Sequence, residues 1–182
     1  MKTFFLALLL VSTGFAESIN LSKISLPKTS TAVFRYFGFK IYTSSIYKNV
    51  SVEAVKEWMK GSGAPVPIAL SILYHLNFSA SDFVKSGREL IKQNQTVEFD
   101  SIESSLSQFE SYYSDIVKGD KYLLLFSPGE GISLLKNGKE MGRVNNDDFA
   151  RAYLGIWLSE FSISESFTAQ LLPNEAKNSP LS

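Results

Sequence analysis

Residues 68–78 alternate without exception: Ile68, Leu70, Ile72, Tyr74, Leu76 and Phe78 fall on one face, Ala69, Ser71, Leu73, His75 and Asn77 on the other. A strand apolar on one side and mixed on the other belongs to a sheet covered fully on one face and partly on its reverse. Residues 31–47 also read at the two-residue period. Val33, Arg35, Phe37, Phe39, Ile41, Thr43 and Tyr47 share a face, which the apolar count marks as the core face, while Tyr36, Lys40, Tyr42 and Ser44 share the other. The stretch supplies one long bent strand or two in succession. Residues 19–26 alternate imperfectly and stop at Pro27, as in an edge strand. Residues 121–127, 132–136 and 139–144 form further strands. Turns at Pro128-Gly129-Glu130-Gly131 and at Asn137-Gly138 divide them, the latter the strongest hairpin signal in the chain.

Helical spacing appears between these runs. Ser51 caps a stripe of Val52, Val55, Trp58 and Met59 that Gly61-Ser62-Gly63 ends. Ser79 with Asp82 is a capping signature ahead of Phe83, Val84, Gly87, Leu90 and Ile91. Asp100 with Glu103 marks a second, ahead of Ile102, Leu106, Phe109, Tyr113 and Ile116. Asp147 and Asp148 open a long helix with Phe149, Ala152, Tyr153, Ile156, Trp157 and Glu160 on one face, and residues 164–172 form a short last helix. The pattern predicts an α+β fold, an antiparallel sheet covered on one face by a layer of helices.

The ends read differently. Lys2, the apolar run 4–11 and the small residues Gly14 and Ala16 have the form of an export signal, with cleavage expected between Ala16 and Glu17. Residues 1–16 are then a signal peptide, 17–172 one domain and 173–182 a flexible tail, with the mature protein periplasmic or secreted. No later segment approaches the roughly 20 apolar residues of a transmembrane helix. Lys plus Arg and Asp plus Glu number 18 each, so no field favours nucleic acid or an anionic membrane. There is no cysteine, and His75 is the only histidine, so neither thiolate chemistry nor a metal constellation is expected and no cofactor is implied. Gly129-Glu130-Gly131 is a turn with no helix after it, not a phosphate cradle.

One residue stands out chemically. Arg35 interrupts an apolar row, and a guanidinium out of water costs several kcal/mol unless an anion meets it. Either Gly38 bends the strand and returns Arg35 to solvent, or Arg35 lies at the closed end of an apolar cleft and receives the acidic head of a ligand.

The order strand, GFKIYTSSIY, helix, IALSILYHLNF, two helices, GDKYLLLFSPGEGISLLKNG and DDFARAYLGIWLSE resembles the chalcone isomerase-like proteins, particularly their exported bacterial branch, over residues 31–172. The resemblance implies an antiparallel sheet, a helical layer and a ligand cleft between them. The family's plant members close a flavanone ring, and the resemblance implies an arginine, a strand threonine, a helix tyrosine with an asparagine seven residues on, and a hydroxyl on the late helix. Arg35 matches in type. With Tyr47 as anchor the threonine position falls on Tyr42, and Thr43 points to the opposite face. The tyrosine, asparagine and late hydroxyl positions fall on Phe83, Leu90 and Ile156, which cannot orient water or stabilise a phenolate.

No catalytic set is complete, and the nearest candidates are Arg35, Tyr42 and Thr43. A binding protein fits better: an apolar cleft lined by Phe37, Phe39, Phe83, Leu90, Ile156 and Trp157, with Arg35 at its end, suits a fatty acid or similar amphiphile. Related non-catalytic members bind fatty acids, as the resemblance implies. The alternatives are an isomerase of another substrate and a periplasmic interaction protein whose cleft is filled by side chains.

Overall fold

Seven antiparallel strands follow one another across a single sheet in the order β1 to β7 in the computed structural model. The structure describes residues 17–174 apart from 22–23 and 94–95. The expected signal peptide therefore lies outside the described residues, as does the tail from residue 175. Of the expected tail, Pro173 and Asn174 are described, and Asn174 accepts a hydrogen bond from Lys56 Nζ at 2.8 Å.

The strands are β1 (Ser18–Leu21), β2 (Ile24–Tyr36), β3 (Phe39–Tyr47), β4 (Ile68–Tyr74), β5 (Lys121–Ser127), β6 (Gly131–Lys136) and β7 (Lys139–Val144). Among the described residues five helices punctuate them: α1 (Val52–Met59), α2 (Ala80–Gln93), α3 (Phe99–Glu110), α4 (Asp147–Leu158) and α5 (Glu165–Leu171). The α+β expectation holds.

Local chemistry accounts for most boundaries. Ser51 caps α1 by accepting from Ala54 N at 3.1 Å, and Ser164 caps α5 by accepting from Phe167 N at 3.3 Å. Ser79 and Asp82 exchange bonds at the head of α2: Asp82 N donates to Ser79 Oγ, and Ser79 N to Asp82 Oδ2 at 2.9 Å. The Ser79 hydroxyl, donating to Asp82 Oδ2 at 2.8 Å, and then the Ser79 N–H hold the Asp82 carboxyl below its ordinary range. Asn137 and Gly138, both at positive φ, make the expected tight turn between β6 and β7.

Four boundary expectations are corrected. Pro27 does not end a strand but sits inside β2, opposite Ser18 of the edge strand β1. Its carbonyl accepts from Lys48 N just past the end of β3, where no ladder bond needs a proline N–H. The run at 68–78 leaves the sheet after Tyr74, so Leu76 is exposed and Phe78 makes an isolated bridge with Ile116. Asp100 does not cap α3. The cap position is Glu98, without a side-chain bond, and Asp100 lies in the first turn. That helix stops at Glu110, short of Tyr113 and Ile116.

The largest correction concerns residues 31–47, which form two strands joined by a turn at Phe37 and Gly38, φ 47° and 81°. Register pairs Ala32 with Ser44, Val33 with Thr43 and Phe34 with Tyr42. The even positions Ala32, Phe34, Tyr42 and Ile46 face the helices, so the odd face is not the core face. Arg35, Phe37 and Phe39 are on the exposed hairpin end.

The main core fills the space between the sheet and its helical layer. Trp58 of α1 stacks on Phe126 of β5 at 4.5 Å, and Phe109, Phe149 and Tyr153 bring α3 and α4 together. Each fully buried side chain of this kind contributes about 1.5–3 kcal/mol. A smaller cluster on the reverse face gathers Leu21, Leu26, Tyr47 and Ala69 where β1 and the start of β2 cover the sheet. There burial, with Glu17 nearby, pushes the Tyr47 hydroxyl up to about 12.

Candidate ligand cavity

A cavity of about 750 Å³ lies between the inner face of the sheet and helices α2 and α4. Its floor is a row of inward residues from five adjacent strands: Phe34, Ile41 and Tyr42, Ile72 and Tyr74, Tyr122 and Leu124, and Leu134. The alternation that builds the sheet thus also builds the floor, apart from Ile41, which the register shift opposite Phe34 and Arg35 leaves unpaired. Its roof is Phe83 and Leu90 from α2 with Tyr153, Ile156 and Trp157 from α4, closed at the sides by Tyr113 and Ile163.

The interior polarity comes from phenols and one indole. Trp157 Nε1 donates to the Tyr42 hydroxyl at 3.2 Å. The hydroxyls of Tyr113 and Tyr153 bond to one another, and Tyr122 donates to Ser114 O at 2.8 Å while accepting from Ser114 N at 3.1 Å. The Tyr74 hydroxyl meets no hydrogen-bond partner among the described residues. Burial raises the hydroxyls of Tyr42, Tyr74 and Tyr153 well above their ordinary value, so all three stay protonated at neutral pH. Charged side chains line the cavity only at its mouth, where Asp82, Lys85 and Glu89 of α2 stand beside Ser86 and Asn77. The interior therefore offers hydrophobic contact and a few hydrogen bonds, and no base or cation. No cluster of three metal-ligating residues occurs among the described residues.

Four of the residues expected to line a cleft are brought together here: Phe83, Leu90, Ile156 and Trp157. Arg35, Phe37 and Phe39 are not. Arg35 is exposed, and its Nη1 reaches only the Gly38 carbonyl, at 3.5 Å. The turn reverses the chain there, so nothing buried needs to neutralise the guanidinium. Tyr42 faces the cavity and Thr43 the reverse of the sheet, as the Tyr47 anchor implies. Thr43 pairs there with His75 Nε2 at 2.8 Å. Desolvation, then Lys40 and Lys118, lower the His75 pKa below its ordinary value.

The sequence pattern puts Tyr74 on the apolar face of its strand, where an enzyme would have had to draw on it, and Tyr113 and Tyr153 on helix faces, but it does not single out Phe34 or Tyr122. The even parity of Tyr42, Tyr74 and Tyr122 on neighbouring strands was the available signal. The cleft is open rather than filled by side chains, with a cavity of about 750 Å³ left between the sheet and the helices.

The fold is shared with the fatty-acid binding protein of Arabidopsis thaliana, whose crystal structure superposes with a TM-score of 0.62. The likeness covers 87% of this chain and 90% of that one, at 14% sequence identity. No curated protein matches the sequence. The pattern of the chalcone isomerase-like proteins matches residues 12–173, which takes in all of residues 17–172, and the chain belongs to the chalcone isomerase-like family.

Proposed function

We propose that this is an exported, non-catalytic binding protein that holds a fatty acid or similar amphiphile in the cavity. The observation that carries the reading is the cavity itself: about 750 Å³, walled by aromatic and aliphatic side chains, with charge only at the mouth. Sites for small apolar ligands run to roughly 300–1,000 Å³ with few polar groups. Phe83, Leu90 and Ile156, the positions where the resemblance to the plant enzymes calls for polar groups, all line this cavity with hydrocarbon. Without them a ring-closing reaction has no oriented water and no phenolate stabiliser. Export rests on the amino-terminal pattern of Lys2, the apolar run and Ala16. The likeness to a protein described as fatty-acid binding supports the ligand class.

Orientation follows from charge. A carboxylate moved into an interior without a cation loses several kcal/mol. The hydrocarbon tail therefore enters and the acid stays at the mouth beside Lys85, Ser86 and Asn77, in contact with water. A native mass spectrum of the protein purified from its exporting host tests the reading. A bound species with the mass of a long-chain fatty acid, released on denaturation, is expected. Apo protein that stays apo when a long-chain fatty acid is added would refute it.

A further inference from the structure

The exposed apolar side chains are not scattered. Of the six large ones among the described residues, Tyr36, Phe37, Phe39, Leu76 and Val117 lie at one end of the sheet. Register places them there: Tyr42 pairs with Tyr74 and Leu73 with Lys121, so the β2–β3 turn, the exit of β4 and the approach to β5 share an end. His75 N bonds to Ile41 O and Gly119 N to Tyr74 O, which fastens the three segments together. Phe37 is 84% exposed and Phe39 68%.

Phe37 is an unusual occupant of its position. A two-residue hairpin turn with both φ positive favours Asn-Gly, which this chain uses at Asn137-Gly138. Here the first position, at φ 47°, holds a phenylalanine, where a bulky side chain is sterically disfavoured. That ring meets its exposed neighbour Tyr36 edge to face, with centroids 4.5 Å apart, and is itself 84% exposed.

Cations surround the rings. Arg35, Lys40 and Lys118 are exposed, and none meets a carboxylate among the described residues. Both Lys40 and Lys118 bear on the His75 ring, lowering its pKa after desolvation. The acids of this end are engaged: Asp115 accepts from Ala80 N, and Asp120 holds Lys136, Asn137 and Val117 N.

We propose that this end of the sheet, led by Tyr36, Phe37 and Phe39 and flanked by Arg35, Lys40 and Lys118, docks on the surface of an anionic phospholipid bilayer. Aromatic rings settle at the headgroup level, and lysines and arginines beside them are attracted to anionic lipid. A protruding tip suits insertion between headgroups better than a protein interface, which needs about 800 Å² per partner. A second copy is disfavoured because a two-fold contact would set the same cations against each other. Neutral net charge does not oppose this, because the basic cluster is local. Phe34, Ile41, Asn77 and Phe78, which flank the tip and the β4 exit, line the cavity, so docking sets the cavity against the lipid. Use of this surface for ligand exchange rests on the proposed ligand-binding reading; docking does not.

Co-sedimentation with vesicles tests it, using the full chain throughout so that the amino-terminal apolar run is common to every sample. Wild type is compared with two double variants, Phe37→Asn with Phe39→Ser, and Arg35→Glu with Lys40→Glu. Vesicles of equal parts phosphatidylcholine and phosphatidylglycerol are expected to bind wild type at least about tenfold more tightly than phosphatidylcholine alone. Each double variant should lose about tenfold on the mixed vesicles while keeping its circular dichroism and its fatty-acid affinity in vesicle-free buffer. Equal binding by wild type and variants, or none by wild type, overturns the proposal. So does sedimentation showing a wild-type dimer that the Phe37 and Phe39 changes dissociate. Vesicle binding without any fatty-acid binding would leave docking standing and sink the ligand reading.

Discussion

Trp157 of α4 donates its indole N–H to the hydroxyl of Tyr42 on β3 at 3.2 Å, tying the helical layer to the sheet along one wall of the cavity. Both residues are buried. Tyr42→Phe strands the indole donor, and an unpaired buried donor costs about 1–3 kcal/mol. Denaturation of Tyr42→Phe, Trp157→Phe and the double variant should therefore show non-additive losses, with a coupling of about 0.5 kcal/mol or more. Strict additivity would mean the bond carries no weight.

Tyr74 reports which end of the ligand enters first. Its hydroxyl faces the cavity without a partner among the described residues, so a hydrocarbon tail gains nothing from it. Tyr74→Phe is expected to bind a long-chain fatty acid as tightly as wild type or more so. An affinity loss of about tenfold, 1.4 kcal/mol, would place the acid head inside.

His75 supplies a pH signature of the basic end. Its folded pKa lies below the ordinary value of 6.5, from desolvation first and then Lys40 and Lys118. As pH falls through 6.5 the unfolded chain takes up a proton that the folded chain resists, so stability falls from there down through the folded pKa. Imidazole titration by NMR should give a midpoint below 6.5 that rises in Lys40→Gln and Lys118→Gln. An unchanged midpoint in both variants would separate these lysines from the histidine.

The hairpin tip should trade stability for surface. Phe37→Asn replaces a ring at φ 47° with a residue that tolerates this conformation, and the left-handed region costs a bulky residue about 1–2 kcal/mol. The variant is expected to melt higher than wild type. A lower melting temperature would mean that the ring supports the fold.

What the sequence made legible was local. Ser51, Ser164 and the pair Ser79 and Asp82 act within a few residues, and Asn137-Gly138 carries its own turn geometry, so each could be read in place. The face of β2 and β3 was not local. A shift of one residue exchanges the two faces of a strand, and here the register shifts between Phe34 and Arg35, so that the even positions of both β2 and β3 share the inner face. Of the two readings of Arg35, the reversal at Phe37 and Gly38 agrees with the one that returns it to solvent. Phe83, Leu90, Ile156 and Trp157 lie together on the cavity wall, and helical spacing and the family resemblance are the signals that put them on inward faces. The bond that ties Tyr42 to the helical layer could not be read in place, because its partner Trp157 is 115 residues away.

Calorimetric titration with a long-chain fatty acid, on wild type and Gly87→Trp, bears most directly on the central claim that the cavity is a ligand site. Gly87 lines the cavity from α2, and a side chain added there enters open space, so tryptophan should occupy the room a ligand needs without disturbing the core. One-to-one binding with a negative heat-capacity change is expected for wild type, weakened at least about tenfold in Gly87→Trp. Equal affinity in the two proteins, or no heat of binding in wild type, would contradict it.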